Sequence, residues 1–179
     1  MARGDIWIFG YGSLMWDPGF DYVERQPALL RGYHRAFCIV SHLYRGTPER
    51  PGLVLGLDRG GSCRGMAYRV AAEHAESVRA YLHEREMQHY VYVQKDVPVR
   101  LSQRTVLAQT HVADRRHERY CGKLGVEETA RYIAQGEGNR GRNRDYLENT
   151  VRHLDELGIG DGPMHRLRDR VRELIGSGA

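Results

Sequence analysis

The chain has 179 residues, of which 41% are hydrophobic and 28% are charged, and its formal net charge is +4 at pH 7. This length and balance are typical of a single globular domain and exclude a largely disordered chain. No apolar run approaches the ~20 residues of a transmembrane helix, and the N-terminus lacks the apolar core of a signal peptide. We therefore expect one domain over residues 1–179 and no membrane partner.

The positive charge is not concentrated on one segment. Of the 27 basic residues, 25 are arginine, and they are scattered from Arg3 to Arg172. Such scatter is more typical of a compositional bias than of a nucleic-acid-binding stripe, so we expect no nucleic-acid partner. The locally dense run Arg140–Arg144 leaves one alternative open, a non-catalytic protein that binds anions or nucleic acid.

The three cysteines, Cys38, Cys63 and Cys121, have no Cys-x-x-Cys spacing, and any disulfide pairing leaves one of them over. Cys38 and Cys63 fall in predicted strands, where a cysteine thiol behaves as a small buried hydrophobe. This usage indicates a reducing compartment, and we expect a cytoplasmic protein.

Apolar patterning predicts strands through most of the first two thirds of the chain. Residues 15–31 contain two prolines and no clean periodicity, which predicts a long ordered loop. A turn is predicted at residues 58–61, and the last two strands are predicted to form a hairpin. The predicted strands are Ile6–Phe9, Tyr33–Tyr44, Leu53–Leu57, Cys63–Val70, Val91–Leu101 and Thr105–Val112.

Helical spacing of apolar residues appears once between strands and then throughout the C-terminal third. The pattern predicts an α+β domain of five or six strands with one inserted helix and a helical C-terminal third. The predicted helices are Ala72–Met87, Val126–Gln135, Asp145–Leu157 and Pro163–Ile175.

A glycine-rich loop follows the first predicted strand, where Gly10 and Gly12 flank Tyr11. Glycine permits a tight turn here because it has no Cβ to clash at positive φ. Such a turn exposes consecutive backbone N–H groups, and a concave run of amides binds an anion or a carbonyl oxygen. The same pattern also fits a strand that simply ends in a glycine turn, so the loop alone does not establish a site.

The apolar stripe of the inserted helix leads to a carboxylate. One helical step beyond the stripe lies Glu86, whereas Glu84 lies about 200° away around the helix and points outward. An inward-facing glutamate has a raised pKa, as general acid/base catalysis needs. The alternative is a glutamate at the helix end that reaches solvent or an arginine such as Arg85. The stripe consists of Ala75, Val78 and Leu82.

Two other kinds of chemistry are disfavoured by spacing. His83 and His89 are six residues apart, whereas a helical zinc site needs two histidines four residues apart, so we expect no metal. A nucleophile elbow at Ser13 needs Gly-x-Ser-x-Gly, and Met15 occupies its last position.

Five blocks of sequence occur in the order of a known family and cover most of the chain. They are Phe9–Trp16, Arg45–Pro48 with Pro51–Leu57, Gly65–Arg69, Arg85–Met87 and Asn143–Val151. On these blocks the chain resembles the ChaC-type γ-glutamylcyclotransferases, the glutathione-specific branch of the cyclotransferases. The chain departs from the pattern at Gln88-His89, where many relatives have glycine, and this leaves the pocket shape and substrate preference open.

The resemblance implies a small mixed β-barrel with an inserted catalytic helix, and a reaction that needs no cofactor. The α-amino group of a γ-glutamyl unit attacks its own γ-carbonyl, closes 5-oxoproline and expels the rest, which for glutathione is Cys-Gly. Glu86 is then the base that takes the proton from the ammonium and returns it to the leaving amine. The amides of Tyr11, Gly12, Ser13 and Leu14 stabilise the oxyanion.

Two further residues are candidate substrate contacts. The resemblance implies that Tyr146 places its hydroxyl in the pocket, and the guanidinium of Arg45 is suited to hold a substrate carboxylate. From the residues alone, Tyr146 fits a helix-stripe core residue equally well, and Arg45 fits a solvated loop residue.

A second enzymatic interpretation stays open, in which a protein of the same fold acts on another γ-glutamyl compound or a γ-glutamylamine instead of glutathione. Product identity separates the two, because glutathione yields Cys-Gly and a γ-glutamylamine yields a free amine. The sequence leaves the oligomeric state open.

Overall fold

Five strands close into a barrel in the computed structural model, which describes residues 4–86 and 91–176. The strand order around the barrel is β1-β3-β2-β4-β5. β1 pairs in parallel with β5 and antiparallel with β3, so the barrel is mixed, as the resemblance implied. The strands are β1 (Ile6–Gly10), β2 (Glu24–Ser41), β3 (Gly52–Val70), β4 (Tyr92–Arg100) and β5 (Thr105–Ala113).

Four α-helices complete the described chain, and their positions agree with the helical periodicity of the sequence. Two-residue strands, β6 (Glu137–Gly138) and β7 (Gly141–Arg142), pair between the second and third helices. None of the helices in the described ranges is long and apolar enough to cross a membrane. The helices are α1 (Ala75–Glu86), α2 (Val126–Gln135), α3 (Asn143–Glu156) and α4 (Gly162–Gly176).

The chain divides into two compact units. The first comprises Met1–Arg35 and Gly56–Asp114, and the second comprises Ala36–Leu55 and Arg115–Ala179. α1, β1, β4 and β5 belong to the first unit, and α2–α4 belong to the second. A single domain over residues 1–179 stays a prediction.

The predicted loop over residues 15–31 is wrong in its second half, because β2 already begins at Glu24. Pro27 lies inside the strand, two residues before the first pair that joins β2 to β4, Leu29 with Arg100. Proline has no N–H to donate to a ladder, so it is tolerated where pairing is absent or at an edge. Tertiary pairing therefore extends the strand where local patterning predicts none.

The predicted turn at residues 58–61 is also wrong, since β3 runs without a break from Gly52 to Val70. Gly60 and Gly61 do adopt positive φ, at 100° and 67°. They lie beside His34 of β2, whose Nδ1 is 2.9 Å from the Gly60 carbonyl oxygen. The two glycines therefore lie inside a continuous strand and do not reverse the chain.

The hairpin of β4 and β5 is confirmed, with nine paired positions from Tyr92–Ala113 to Arg100–Thr105. Its apolar face is buried at Val97, Val99 and Ala108. Alternation of side chains along β4 thus places Val97 and Val99 in the core, whereas Val93, which the alternation puts on the same face, is exposed.

Glycine at position 65 is required by the close packing of β3 against β1. A Cβ there would overlap the carbonyl oxygen of Gly10 and lie 2.8 Å from Cζ of Phe9. Both neighbours belong to the segment that leads into the glycine-rich loop, so the fit at Gly65 fixes where that loop begins.

We expect Gly65→Ala to lower the free energy of unfolding by about 1–3 kcal/mol, the usual cost of overpacking. Gly160→Ala is the matched control, because a Cβ at Gly160 meets no atom within 4 Å. Urea unfolding of the two variants measures the difference. Equal midpoints would contradict the packing argument.

Candidate active site

The glycine-rich loop forms one turn of 3-10 helix, Ser13–Met15, directly after β1. The expected positive φ is wrong: Gly12 has φ −126°, and Gly10 is not among the positive-φ glycines of the described chain. Gly10 is needed for close approach instead, because a Cβ there would lie 2.9 Å from Cβ of Leu14. The absence of a side chain lets the loop fold back onto the end of β1.

Two N–H groups of this loop precede the first hydrogen bond of the turn. That bond runs from Met15 N–H to the Gly12 carbonyl oxygen over 2.9 Å. The N–H groups of Ser13 and Leu14 therefore have no partner within the turn itself, as is general for the first residues of a helix. Leu14 is buried, whereas Gly12 and Ser13 are half-buried.

A buried arginine holds the start of the loop. Arg35 on β2 is 5% exposed, and its Nε donates to the Tyr11 carbonyl oxygen over 2.5 Å. Its Nη2 donates to the Arg64 carbonyl oxygen over 2.7 Å. Sequence reasoning missed Arg35, which is visible only as a charged residue next to the apolar run of β2.

A tyrosine and a threonine hold the two flanks of the loop. The Tyr68 hydroxyl donates to the Met15 carbonyl oxygen over 2.7 Å, and Thr110 Oγ1 donates to the Phe9 carbonyl oxygen over 3.0 Å. Burial raises the pKa of Tyr68 to about 12, so this hydroxyl keeps its proton at neutral pH. With its carbonyl groups fixed, the loop presents its N–H groups in a set orientation.

Glu86 ends α1 on the face that the periodicity predicts. Ala75, Val78 and Leu82 are buried, the Glu86 side chain is 19% exposed, and Glu84 is exposed. Burial raises the pKa of the Glu86 carboxyl, and the positive charge of Arg85 opposes that shift less strongly. The carboxyl therefore titrates above its ordinary value.

Arg85 connects this carboxylate to the loop. Its Nη2 donates to Ser13 Oγ over 2.9 Å, and its Nη1 donates to the Asp17 carbonyl oxygen over 2.9 Å. Its Nη1 also donates to the Tyr81 hydroxyl over 2.7 Å, and its Nε lies 3.8 Å from Oε1 of Glu86. One guanidinium thus fixes the end of α1 on the loop, a role the sequence does not reveal because its partners are distant in the chain.

Arg45 and Tyr146 are in contact within the second unit. The Arg45 guanidinium carbon lies 4.9 Å from the centroid of the Tyr146 ring, and that ring packs edge-on against Phe37 at 5.7 Å. Arg45 Nη1 donates to the Arg140 carbonyl oxygen over 2.6 Å. Burial lowers the pKa of the Arg45 guanidinium below its ordinary value. Arg45 is half-buried, which the solvated-loop interpretation did not predict.

A fully buried asparagine orders the strand that follows the Arg45 loop. Asn143, at the start of α3, accepts from Leu53 N–H over 2.7 Å and donates to the Leu53 carbonyl oxygen over 2.8 Å. A Cβ on either Gly52 or Gly136 would overlap the Arg45 carbonyl oxygen. Asn143 opens the last block of the resemblance, but sequence reasoning gave it no role.

The predicted site residues therefore fall into two groups, each ordered within its own unit. The first group joins Tyr11, Gly12, Ser13 and Leu14 to Glu86 through Arg85. The second consists of Arg45 and Tyr146. In the ranges 4–86 and 91–176, no three His, Cys, Asp or Glu residues are placed to hold a metal ion, and His89 lies outside those ranges.

The dense arginine run is partly neutralised by neighbouring carboxylates. Arg142 Nε lies 3.7 Å from Glu137, and Arg144 Nε lies 3.9 Å from Asp145. Arg140 stacks on the ring of Tyr44 at 4.2 Å. None of these contacts favours the nucleic-acid alternative.

A family model described as ChaC-like protein matches residues 6–174. A glutathione-specific gamma-glutamylcyclotransferase of Escherichia coli (strain K12) is 37% identical over 174 residues, which cover 97% of this chain and 75% of that protein. A protein of the same name from Schizosaccharomyces pombe is 31% identical and is covered over 89% of its length. The crystal structure of a yeast gamma-glutamyl cyclotransferase specific to glutathione has a TM-score of 0.85 at 26% identity, covering 95% of this chain and 96% of that one. A match of this extent, in both sequence and fold, shows that the chain belongs to the ChaC-like family.

Proposed function

We propose that this chain is a γ-glutamylcyclotransferase that converts glutathione to 5-oxoproline and Cys-Gly. The observation that carries the proposal is the environment of Glu86. Its carboxylate is half-buried and has a raised pKa, and the adjacent Arg85 donates a hydrogen bond to Ser13 in the loop whose N–H groups can bind an oxyanion. The names of the relatives favour glutathione over a γ-glutamylamine as substrate.

The first step is removal of a proton from the α-ammonium of the γ-glutamyl unit. A carboxylate whose pKa lies above its ordinary value is a stronger base than a solvated glutamate. Glu86 accepts this proton, and the free amine attacks the γ-carbonyl carbon. The attack is intramolecular, so holding the substrate in a folded conformation supplies much of the rate enhancement.

The second step places negative charge on the former carbonyl oxygen. The N–H groups of Ser13 and Leu14 are the donors we assign to this oxyanion, because the turn does not use them and hydrogen bonds fix the loop on both sides. Collapse of the tetrahedral intermediate breaks the bond to the cysteinyl nitrogen. Glu86 returns its proton to that nitrogen, which leaves as the free amine of Cys-Gly, and the ring nitrogen releases its second proton to solvent as the lactam of 5-oxoproline forms.

Arg85 is a positioning residue in this scheme. Its hydrogen bonds to Ser13 and Asp17 hold α1 against the loop, and its charge keeps the pKa of Glu86 from rising further. Substrate contacts by Arg45 and Tyr146 stay predictions. The absence of a metal or cofactor requirement, the absence of a nucleic-acid partner and a cytoplasmic location are likewise part of the proposal.

Incubation with reduced glutathione should yield 5-oxoproline and Cys-Gly in equal amounts. Glu86→Gln should lower kcat by roughly 10²–10⁴-fold, since the amide keeps the shape of the side chain but accepts no proton. Glu84→Gln is the control, because Glu84 is exposed on the same helix and its change should leave kcat near the wild-type value. A Glu86→Gln enzyme with more than about a tenth of the wild-type rate would rule out Glu86 as the base.

The pH dependence of kcat/KM should report the ionisation of Glu86. The rate rises as the carboxyl loses its proton, and burial places the midpoint above the ordinary glutamate value. Arg85→Met removes the positive charge that opposes this shift, so its midpoint should move to still higher pH, whereas Arg85→Lys should move it less.

Arg79→Met is the matched control for this profile. It removes the same charge from the same helix, but Arg79 pairs only with Glu76 among the ion pairs of the described residues. Its midpoint should equal that of the wild type. A midpoint that does not move in Arg85→Met would show that Arg85 has no electrostatic effect on the base.

Acetylation of the substrate α-nitrogen should abolish turnover, because the amide nitrogen cannot attack as an amine. Liquid chromatography with mass detection separates glutamyl hydrolysis products from 5-oxoproline. N-acetylglutamate released from N-acetylglutathione would indicate attack by water instead, that is, a hydrolase. A γ-glutamylamine that outcompetes glutathione in kcat/KM would support the alternative substrate class.

A further inference from the structure

Two cysteines face each other across a short backbone pairing in the second unit. After β5 the chain returns to β2, where Ile39 and Tyr120 form an isolated antiparallel bridge. Cys121 N–H donates to the Cys38 carbonyl oxygen over 3.0 Å, and Val40 N–H donates to the Arg119 carbonyl oxygen over 2.8 Å. In this register Cys38 lies directly opposite Cys121. Opposite residues of an antiparallel pair project their side chains on the same face.

The backbone spacing of such a pair allows a disulfide. Opposite residues joined by a backbone hydrogen bond have Cα atoms about 5.5 Å apart, and disulfides span Cα separations of about 4.4–6.8 Å. Their Cβ atoms, however, start about 5.5 Å apart, whereas a disulfide needs about 3.8 Å. Closure therefore draws the segment of Cys121 toward β2. A disulfide closed under such strain is readily reduced.

The two thiols differ in access. Cys121 is half-buried, and after it the chain has no regular structure until α2, with Gly122 at φ 71°. Cys38 is 1% exposed. A dissolved disulfide therefore meets Cys121 first, and only a neighbouring sulfur reaches Cys38.

We propose that Cys38 and Cys121 form a reversible disulfide by exchange with glutathione disulfide. The Cys121 thiolate attacks one sulfur of glutathione disulfide, which forms a mixed disulfide on Cys121 and releases one glutathione thiolate. The Cys38 thiolate then attacks the Cys121 sulfur, forms the Cys38–Cys121 bond and releases the second glutathione thiolate. The thiol protons pass to solvent and to the released glutathione. Reduced glutathione reverses both steps.

The site borders a residue of the second predicted group. Phe37, which precedes Cys38, packs against the Tyr146 ring that Arg45 covers. Oxidation therefore strains the strand that supports this stack. The proposal itself stands on the bridge geometry and does not depend on the cyclotransferase activity.

The test places the whole chain in buffers of 2-mercaptoethanol and 2-hydroxyethyl disulfide, which carry no γ-glutamyl group. A parallel series uses buffers of reduced and oxidised glutathione and is sampled at short times, before turnover consumes the glutathione. Remaining thiols are alkylated in denaturant, which exposes the buried cysteines to the reagent, and the protein is digested and analysed by mass spectrometry. We expect a linked peptide pair containing Cys38 and Cys121 that rises with the oxidised fraction in both buffers and disappears when reductant is restored. Cys63 should stay alkylated throughout.

Variants separate the linked pair from adventitious oxidation. Cys63→Ala should still form the link, whereas Cys38→Ala should stop at the mixed disulfide on Cys121. The proposal is overturned if Cys38 stays alkylated at every buffer ratio, or if the wild type also stops at a mixed disulfide on Cys121. Disulfide formation in the hydroxyethyl buffer does not require enzymatic turnover. A protein that links Cys38 to Cys121 in that buffer but makes no 5-oxoproline from glutathione would therefore refute only the proposed function.

Discussion

The arrangement of the site in the first unit depends on the contacts that the guanidinium of Arg85 makes. Neither Glu86 nor the glycine-rich loop fixes its own position: the carboxylate ends a helix, and the loop is a single 3-10 turn. Arg85 donates to a side chain and to a backbone carbonyl of the loop region while it lies beside the carboxylate. A planar cation with several donors in fixed directions can satisfy all of these partners at once, which an ammonium group cannot.

Two opposing effects act on the pKa of Glu86. Burial raises it, the positive charge of Arg85 lowers it, and burial is the larger effect. Burial alone would favour the protonated carboxyl, which cannot accept a proton, and a fully compensating cation would make the carboxylate a weak base. The neighbouring arginine sits at 3.8 Å instead of at hydrogen-bonding distance, so it moderates the effect of burial without cancelling it. This balance is what a proton carrier working in both directions requires.

Local pattern predicted the features that depend on sequence spacing. The helical stripe identified the orientation of Glu86, and strand alternation identified the β4–β5 hairpin, since both periods follow from backbone geometry. The errors occur where tertiary pairing overrides a local signal, as at Pro27 and at the two glycines of β3. The contacts of Arg35, Arg85 and Asn143 join residues far apart in the chain, and no local period encodes them.

The position of β1 in the barrel has a consequence for how the chain folds. β1 pairs with β3 on one side and with β5 on the other. The first strand therefore acquires its second neighbour only after residues 108 and 109 have been synthesised, and contacts of such long sequence separation slow folding. Until then β1 has an unpaired edge, and the loop that follows it has no Thr110 to fix its entry. The proposed oxyanion donors are thus made before the strand that fixes the entry to their loop.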